Sequence, residues 1–221
     1  MRTLKVIGFI AVFSSLVFTP SASASWYAGS AIQGAYGGWA YITTPSQPPF
    51  TVNVPGSGQY NWVSTPGPNW IQAGWSYFYG WPSAKQYYEY CINLDENNHC
   101  LTHVLDDTFD TQSWGEMVDY TIYWTSGDRW CASTYDILRI CVSGAHAAPT
   151  EIQAESEIQG SSLNELDTHF NYVYYKDSNG VWQSFQGNNF NANCPYGVLA
   201  SRSYTFRTFR ASCIYLPLIL K

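Results

Sequence analysis

Gln86-Tyr87-Tyr88-Glu89-Tyr90-Cys91 carries aromatic side chains at both odd and even positions. Because successive side chains of a strand point to opposite faces, such a strand places large rings on both of its faces. That pattern is typical of a strand inside a sandwich of two packed sheets. The stretch therefore predicts a β-sandwich.

Short runs of similar character recur along the chain, separated by Gly, Pro, Asn and Asp. The predicted strands are 38–43, 50–54, 71–79, 86–93, 117–125, 131–142, 150–159, 169–175 and 204–214. Asn179-Gly180 predicts a two-residue hairpin turn, Ser126-Gly127-Asp128 predicts a second turn, and only 161–166 suits a helical turn. The fold class that follows is all-β: an antiparallel two-sheet β-sandwich, jelly-roll-like or concanavalin-like, supported by disulfides.

The composition excludes several classes of protein. The 221 residues include 10 Lys and Arg against 16 Asp and Glu, a net charge of −6, and 18% are aromatic. Nucleic-acid binding through phosphates needs clustered basic residues, and disordered chains are poor in aromatics. We therefore expect a folded protein that binds no nucleic acid.

The first residues have the layout of a secretory signal peptide. Arg2 and Lys5 precede the apolar run 6–18, and Ala22-Ser23-Ala24 offers small residues for cleavage after Ala24. The apolar run is too short to span a membrane. We expect a signal peptide at 1–24, a single catalytic β-sandwich domain at 25–221, and a secreted, extracellular protein without a membrane span.

Six cysteines in an exported chain predict disulfides. Local spacing favours Cys91–Cys100, Cys131–Cys141 and Cys194–Cys213. No Cys-x-x-Cys occurs, and His99 and His103 beside Cys100 are expected to be solvated side chains of a polar hairpin. We therefore predict no metal site.

The motif inventory leaves few kinds of chemistry. The sequence has no Gly-x-Ser-x-Gly elbow, no His-Glu-x-x-His and no glycine-rich phosphate loop after a strand. Paired cysteines make poor nucleophiles. Carboxylates, carboxamides and aromatic rings on sheet faces remain, which is typical of exported glycoside hydrolases, lectins and carboxyl peptidases.

Two stretches resemble the glutamic peptidases, both the eqolisin and the neprosin-like families. The first runs from Trp62-Val63 through Ile71-Gln72-Ala73-Gly74-Trp75 to the Tyr-rich strand that contains Glu89. The second, Thr150-Glu151-Ile152-Gln153-Ala154-Glu155-Ser156-Glu157, is similar to the later family strand that ends in the catalytic glutamate. The resemblance implies a secreted peptidase that acts on polypeptides at acid pH and needs no cofactor.

The resemblance also implies the roles of individual residues. Gln72 takes the place of the amide that stabilises the oxyanion, and Glu157 that of the general base that activates water. Glu155 is the competing base, because residues 155 and 157 lie on the same face of a strand and two such carboxylates can share a proton. Trp62 and Trp75 are the candidates for contact with substrate. We expect the enzyme to be a monomer.

Two other functions remain open from the sequence. A carbohydrate-binding or glycoside-hydrolysing sandwich would use exposed Trp and Tyr as platforms and a carboxylate pair such as Glu89 and Glu155. The third possibility is a catalytically silent secreted or surface binding module. In all three cases a neutral Gln72 on a strand can also be an ordinary solvent-facing residue.

Overall fold

The computed structural model describes residues 25–46, 55, 57–96, 100–106, 111–160, 167–185, 189–202 and 204–210. Within these residues the chain forms strands and no helix. The strands are, in chain order, β1 (Ser25–Ala35), β2 (Gly37–Thr43), β3 (Gly58–Ser64), β4 (Trp70–Phe78), β5 (Ala84–Leu94), β6 (Cys100–Asp106), β7 (Thr111–Gln112), β8 (Met117–Ser126), β9 (Arg129–Thr134), β10 (Ile137–Val142), β11 (Thr150–Gln159), β12 (Asp167–Lys176), β13 (Trp182–Ser184), β14 (Asn189–Ala192), β15 (Tyr196–Arg202) and β16 (Thr205–Arg210).

The strands form two antiparallel sheets that pack as a sandwich, which confirms the predicted fold class. In the front sheet the order is β14-β1-β11-β3-β4-β5-β6, with β7 beside β5. In the back sheet it is β10-β9-β8-β2-β12-β16-β15, with β13 beside β12. Each sheet combines consecutive hairpins, β3 to β6 in the front and β8 to β10 in the back, with pairs of strands that are distant in sequence, such as β3 with β11 and β2 with β12.

Alternation along β4 decides which residues enter the core. Ile71, Ala73 and Trp75 are at most 1% exposed and belong to the main hydrophobic cluster between the sheets. The intervening residues Gln72 and Gly74 consequently lie on the outer face of the front sheet. The same alternation holds for β11, so its odd-numbered residues 151–159 share that outer face.

A buried polar network holds β11 in this register. Ser156 Oγ lies on the core side, donates to Asn61 Oδ1 of β3 at 2.6 Å, and lies 2.8 Å from Thr208 Oγ1 of the back sheet. A slip of one residue would move every glutamate of β11 into the core, where an unpaired charge is costly. The network therefore helps to keep Glu155 and Glu157 on the outer face.

Most predicted strands agree with the observed ones to within two residues. The stretch 131–142 is wrong as a single strand: Thr134 and Ile137 face each other across a two-residue turn, which separates β9 from β10. The turn at Asn179-Gly180 is a hairpin, but its loop is longer than predicted, because Asp177 N donates to Val181 O. The turn at Ser126-Gly127-Asp128 is confirmed.

Two of the predicted disulfides are confirmed. Cys91 joins Cys100 with a Cα–Cα distance of 5.6 Å, and Cys131 joins Cys141 at 4.0 Å. The third pair stays a prediction, because Cys213 lies outside the described residues. The signal segment 1–24, strand 50–54, helical turn 161–166 and residues 211–214 of the last predicted strand also lie outside them.

Candidate active site

Gln72 meets a carboxylate directly on the outer face of the front sheet. The antiparallel register of β4 and β5 places Gln72 opposite Glu89. Gln72 Nε2 donates to Glu89 Oε2 at 2.5 Å, and each residue is only 9% exposed. Because one amide N–H is committed to Glu89, the orientation of the amide is fixed, and the second N–H remains for another acceptor.

His103 completes this arrangement from the neighbouring strand. The residue lies on β6, and its Nε2 is 2.6 Å from Glu89 Oε1. Burial raises the pKa of Glu89 and the charge of Glu157 adds to that rise, whereas the contacts with His103 and Gln72 oppose it. When His103 is protonated, the pair is a charge-assisted hydrogen bond at the wall of the site.

The outer face of β11 carries a row of acids and amides. Gln153 Nε2 donates to Glu151 Oε1 at 2.7 Å, and Gln159 Nε2 donates to Glu157 Oε1 at 3.1 Å. Gln33 Nε2 of β1 also donates to Glu151. The amides thus satisfy oxygens of Glu151 and Glu157, whereas Glu155 and Glu157 are direct neighbours on this strand face.

Glu155 has a tighter environment than its neighbours in the row. It lies between Gly29 of β1 and Trp62 of β3, and a Cβ atom at position 29 would approach its Cγ to 2.5 Å. Burial, with the charges of Glu151 and Glu157, raises the pKa of Glu155 to about 7. Glu155 is therefore a carboxyl group that favours its neutral form in mildly acid solution.

A cavity of about 230 Å³ opens over β3 between these two groups of residues. Its walls combine amides, two carboxylates, hydroxyls and rings: Tyr27, Trp62, Ser64, Thr65, Gly67, Trp70, Gln72, Glu89, Gln153, Glu157 and Gln159. We call it the front cavity. Of the two candidate bases, Glu157 lines it and Glu155 is not among its wall residues.

The register shows how Gln72 and Glu157 are related across the front cavity. Gln72 lies opposite Ser64 of β3, and Ser64 lies opposite Gln153 of β11. Glu157 is therefore placed diagonally from Gln72 rather than directly across β3. The cavity walls therefore contain two amide–carboxylate pairs, Gln72 with Glu89 and Gln159 with Glu157.

The two tryptophans expected to contact substrate have different positions. Trp62 lies on the outer face, lines the front cavity, and has no hydrogen-bond partner for its indole N–H among the described residues. Trp75 is 0% exposed within the core. A substrate contact for Trp75 is incompatible with that position, because odd-numbered residues of β4 face the opposite sheet.

Steric contact with β3 explains why glycine occupies position 74 of the Ile-Gln-Ala-Gly-Trp stretch. A Cβ atom at Gly74 would come within 1.8 Å of the backbone oxygen of Asn61 and 2.8 Å of Trp62 Cα. Only glycine therefore allows β3 and β4 to approach this closely, which places the ring of Trp62 beside Gln72.

Sequence reasoning missed two members of the site. Glu89 had no assigned catalytic role in the peptidase interpretation, yet it lines the cavity and bonds to Gln72. His103 is half exposed, and what the sequence did not reveal is its contact with Glu89. Cys100, which lies near His103 in sequence, is bound in a disulfide and cannot act as a thiolate ligand. Across the described residues, no group of three or more His, Cys, Asp or Glu side chains has the arrangement of a metal site.

Solved structures show where this fold occurs. No family model and no curated protein sequence matches the chain. Scytalido-glutamic peptidase, solved with a peptide-based transition-state analogue, aligns with 86% of this chain and 100% of its own at 14% identity and a TM-score of 0.54. SCP-B of the eqolisin family, solved with the tripeptide Ala-Ile-His, aligns over the same shares at 12% identity and a TM-score of 0.53.

These likenesses establish a shared fold with glutamic peptidases and nothing finer. A β-glucanase of Bacillus licheniformis aligns less well, with 11% identity, 85% of this chain, 76% of its own and a TM-score of 0.39, and carries no functional argument. Among the described residues, no helix is long and apolar enough to cross a membrane.

Proposed function

We propose that this protein is a secreted glutamic endopeptidase that hydrolyses peptide bonds at acid pH. The observation that carries the proposal is the presence of Gln72 and Glu157 in one cavity on the outer face of the front sheet. The sequence resemblance to glutamic peptidases, centred on Ile71-Gln72-Ala73-Gly74-Trp75, and the shared fold both support it.

The side chains suit a hydrolysis in which water is the nucleophile. Glu157 accepts a proton from the water as the water oxygen attacks the peptide carbonyl carbon. The second N–H of Gln72 donates to the carbonyl oxygen as it becomes negative. Glu157 then passes the proton to the amine nitrogen while the C–N bond breaks, which restores the carboxylate.

Glu89 and His103 act on Gln72 rather than on the substrate in this scheme. A freely rotating amide would present its oxygen and its nitrogen to an oxyanion equally often. The 2.5 Å hydrogen bond from Gln72 to Glu89 selects the orientation, and His103 holds the Glu89 carboxylate from its other oxygen. Both are therefore positioning residues.

The acid working range follows from the carboxylates that share the outer face. Glu89 and Glu155 have raised pKa values, through burial first of all, and Glu157 contributes to both shifts. At neutral pH the face would collect several negative charges, whereas the raised pKa values of Glu89 and Glu155 reduce that repulsion in mildly acid solution. Extracellular location is supported by two disulfides, which persist in oxidising surroundings.

Digestion of an unfolded protein from about pH 2.5 to 7, with cut sites read by mass spectrometry, tests the proposal. We expect cleavage at acid pH that is lost in Glu157→Gln and largely kept in Glu155→Gln, since only Glu157 lines the front cavity. Absence of cleavage at every pH, from a chain shown to be folded, would refute the peptidase function.

Glycoside hydrolysis is the second candidate, and one observation favours it. Glu89 and Glu157 are two carboxylates in the walls of the same cavity, and most glycosidases need such a pair. Release of reducing sugar from a β-glucan, lost in both Glu89→Gln and Glu157→Gln, would support this candidate instead of the peptidase.

A further inference from the structure

The outer face of the back sheet carries a second, larger concavity. Its volume is about 720 Å³, and we call it the back groove. Its walls include the rings of Trp39, Tyr41, Tyr123, Tyr135 and Trp182 and the carboxylate of Asp119. Ligand sites of small molecules commonly fall between 300 and 1,000 Å³, so the back groove has the size of a binding site.

The rings of the back groove form a connected surface. Trp39 is stacked on Tyr174, with ring centroids 5.1 Å apart and an interplanar angle of 21°. The ring centroid of Trp39 also lies 6.1 Å from that of Trp182. Lys176 Nζ lies 5.8 Å from the ring centroids of both Tyr123 and Trp182. These rings therefore hold one another in place before any ligand arrives, which lowers the entropy lost on binding.

The backbone around the back groove is strained at residues with large side chains. Tyr135 and Asp136 form the two-residue turn between β9 and β10 with φ of 52° and 57°, and Tyr172 has φ of 51° beside a bulge in β12. Two-residue turns of this kind favour Asn-Gly, because positive φ is costly for other residues.

Backbone strain of this kind is commonly found at residues whose side chains have a function. Tyr135 lines the back groove at 45% exposure, and Tyr172 is 51% exposed and meets Tyr41 edge to face. Both rings are largely exposed, so packing offsets little of the cost, although Tyr135 Oη also donates to Glu116 Oε1 at 2.9 Å. The turn is held against β8 by a hydrogen bond in which Tyr135 N donates to Asp119 Oδ1 at 3.1 Å.

Polar groups are interleaved with the rings. Thr121 and Ser133 add hydroxyls, and Asp119 and Asp136 add carboxylates, against the single ammonium of Lys176. A phosphate-bearing ligand would meet more negative than positive charge here, and a purely apolar ligand would leave these groups unpaired. A ligand with flat C–H faces and many hydroxyls satisfies both the rings and the acceptors.

We propose that the back groove binds a neutral oligosaccharide chain, with pyranose faces on Trp39 and Trp182 and sugar hydroxyls donating to Asp119 and Asp136. The groove lies on the sheet opposite the front cavity, so this inference does not depend on the reaction assigned to the cavity. A peptidase with such a groove would be held on glycan-rich material such as a cell wall or a glycoprotein.

Isothermal titration of the full chain with four neutral hexasaccharides tests the proposal. The probes are β-1,4-glucose, β-1,3-glucose, β-1,4-N-acetylglucosamine and β-1,4-mannose hexamers, with a proline-rich decapeptide as the alternative class. We expect at least one hexamer to bind and Trp182→Ala to weaken it about 10-fold or more. Tyr79→Ala, which removes a 48% exposed ring outside the groove, should leave binding unchanged.

A second variant keeps the test independent of folding defects. The double change Tyr135→Asn and Asp136→Gly installs the turn sequence that positive φ favours, so the melting temperature should rise or stay constant while hexamer binding weakens about 10-fold. The proposal is overturned if no hexamer binds the folded protein, if binding survives in both groove variants, or if only the proline-rich peptide binds.

Discussion

The two outer faces of the sandwich differ in what they expose. The front cavity is small, about 230 Å³, and is lined by three amides and two carboxylates, several of them hydrogen-bonded to one another. The back groove is about 720 Å³ and exposes rings on strained backbone. The core between them is shared, so alternation along each strand lets one fold place hydrogen-bonded amides and carboxylates on one outer face and exposed rings on the other.

The largest expected effect is a loss of peptidase activity, assigned to the front face, without a change in sugar binding, assigned to the back face. Gln72→Ala should lower the peptidase kcat by about 10²–10³-fold, because an oxyanion donor is removed. Hexasaccharide binding should not change, since Gln72 lies in the front sheet. Gln183→Ala on β13, whose amide donates to Asp177 Oδ2 at 3.1 Å, is the matched control and should leave both activities intact. Steady-state kinetics beside titration calorimetry would show whether the faces are independent.

Glu155→Gln should change how stability depends on pH. The folded-state pKa of about 7 lies above the ordinary value of 4.5, so the stability that Glu155 contributes is fully present below pH 4.5 and lost as pH rises through 7. Wild-type unfolding free energy should fall by up to about 3 kcal/mol over that range, and the variant should lose this dependence.

Urea unfolding at pH 4.5, 6 and 7.5 would measure the effect. Asp128→Asn, in the exposed turn after β8, is the control and should keep the wild-type slope. An identical slope in Glu155→Gln would contradict the buried position of this carboxyl.

Gly74→Ala tests the close approach of β3 and β4 beneath the front cavity. A Cβ atom 1.8 Å from Asn61 O forces the strands apart, so unfolding free energy should fall by about 1–3 kcal/mol. Gly67→Ala is the matched control, because a Cβ there meets nothing within 4 Å. Equal stability of the two variants would show that the strands are not in contact at this point.

His103→Asn is expected to have the smallest effect and the most specific signature. Loss of the contact at 2.6 Å should raise the pKa of Glu89 further and shift the acid limb of kcat/KM to higher pH, with a fall of about 3–10-fold at the low-pH end. A uniform fall at all pH values would mean that His103 is only structural. Sugar binding should not follow this profile.

The sequence predicted the strands better than it predicted the site. Strong alternation and Gly or Pro boundaries located the edges of β4, β5, β8 and β11 to within two residues. The hairpin at Tyr135-Asp136 was missed, because neither residue is typical of a two-residue turn. A strained turn of this kind leaves no local sequence signal.

The contacts within the candidate site depend on pairing between strands, which the sequence does not reveal. Gln72 was found through a short motif, whereas Glu89 and His103 join it only through the register of β4, β5 and β6. Trp62 and Trp75 look alike in sequence, and only their positions along the alternation separate a wall residue from a core residue. Register is set by the whole sheet, so single stretches cannot reveal it.

A double-mutant cycle on kcat/KM for an unfolded protein substrate tests the central claim, that Gln72 and Glu157 act together on one water in the front cavity. Residues that act as a unit are strongly non-additive. We therefore expect Gln72→Ala with Glu157→Gln to be no more than about 3-fold slower than the slower single variant. Full activity in either single variant, or losses that multiply in the double variant, would contradict the account.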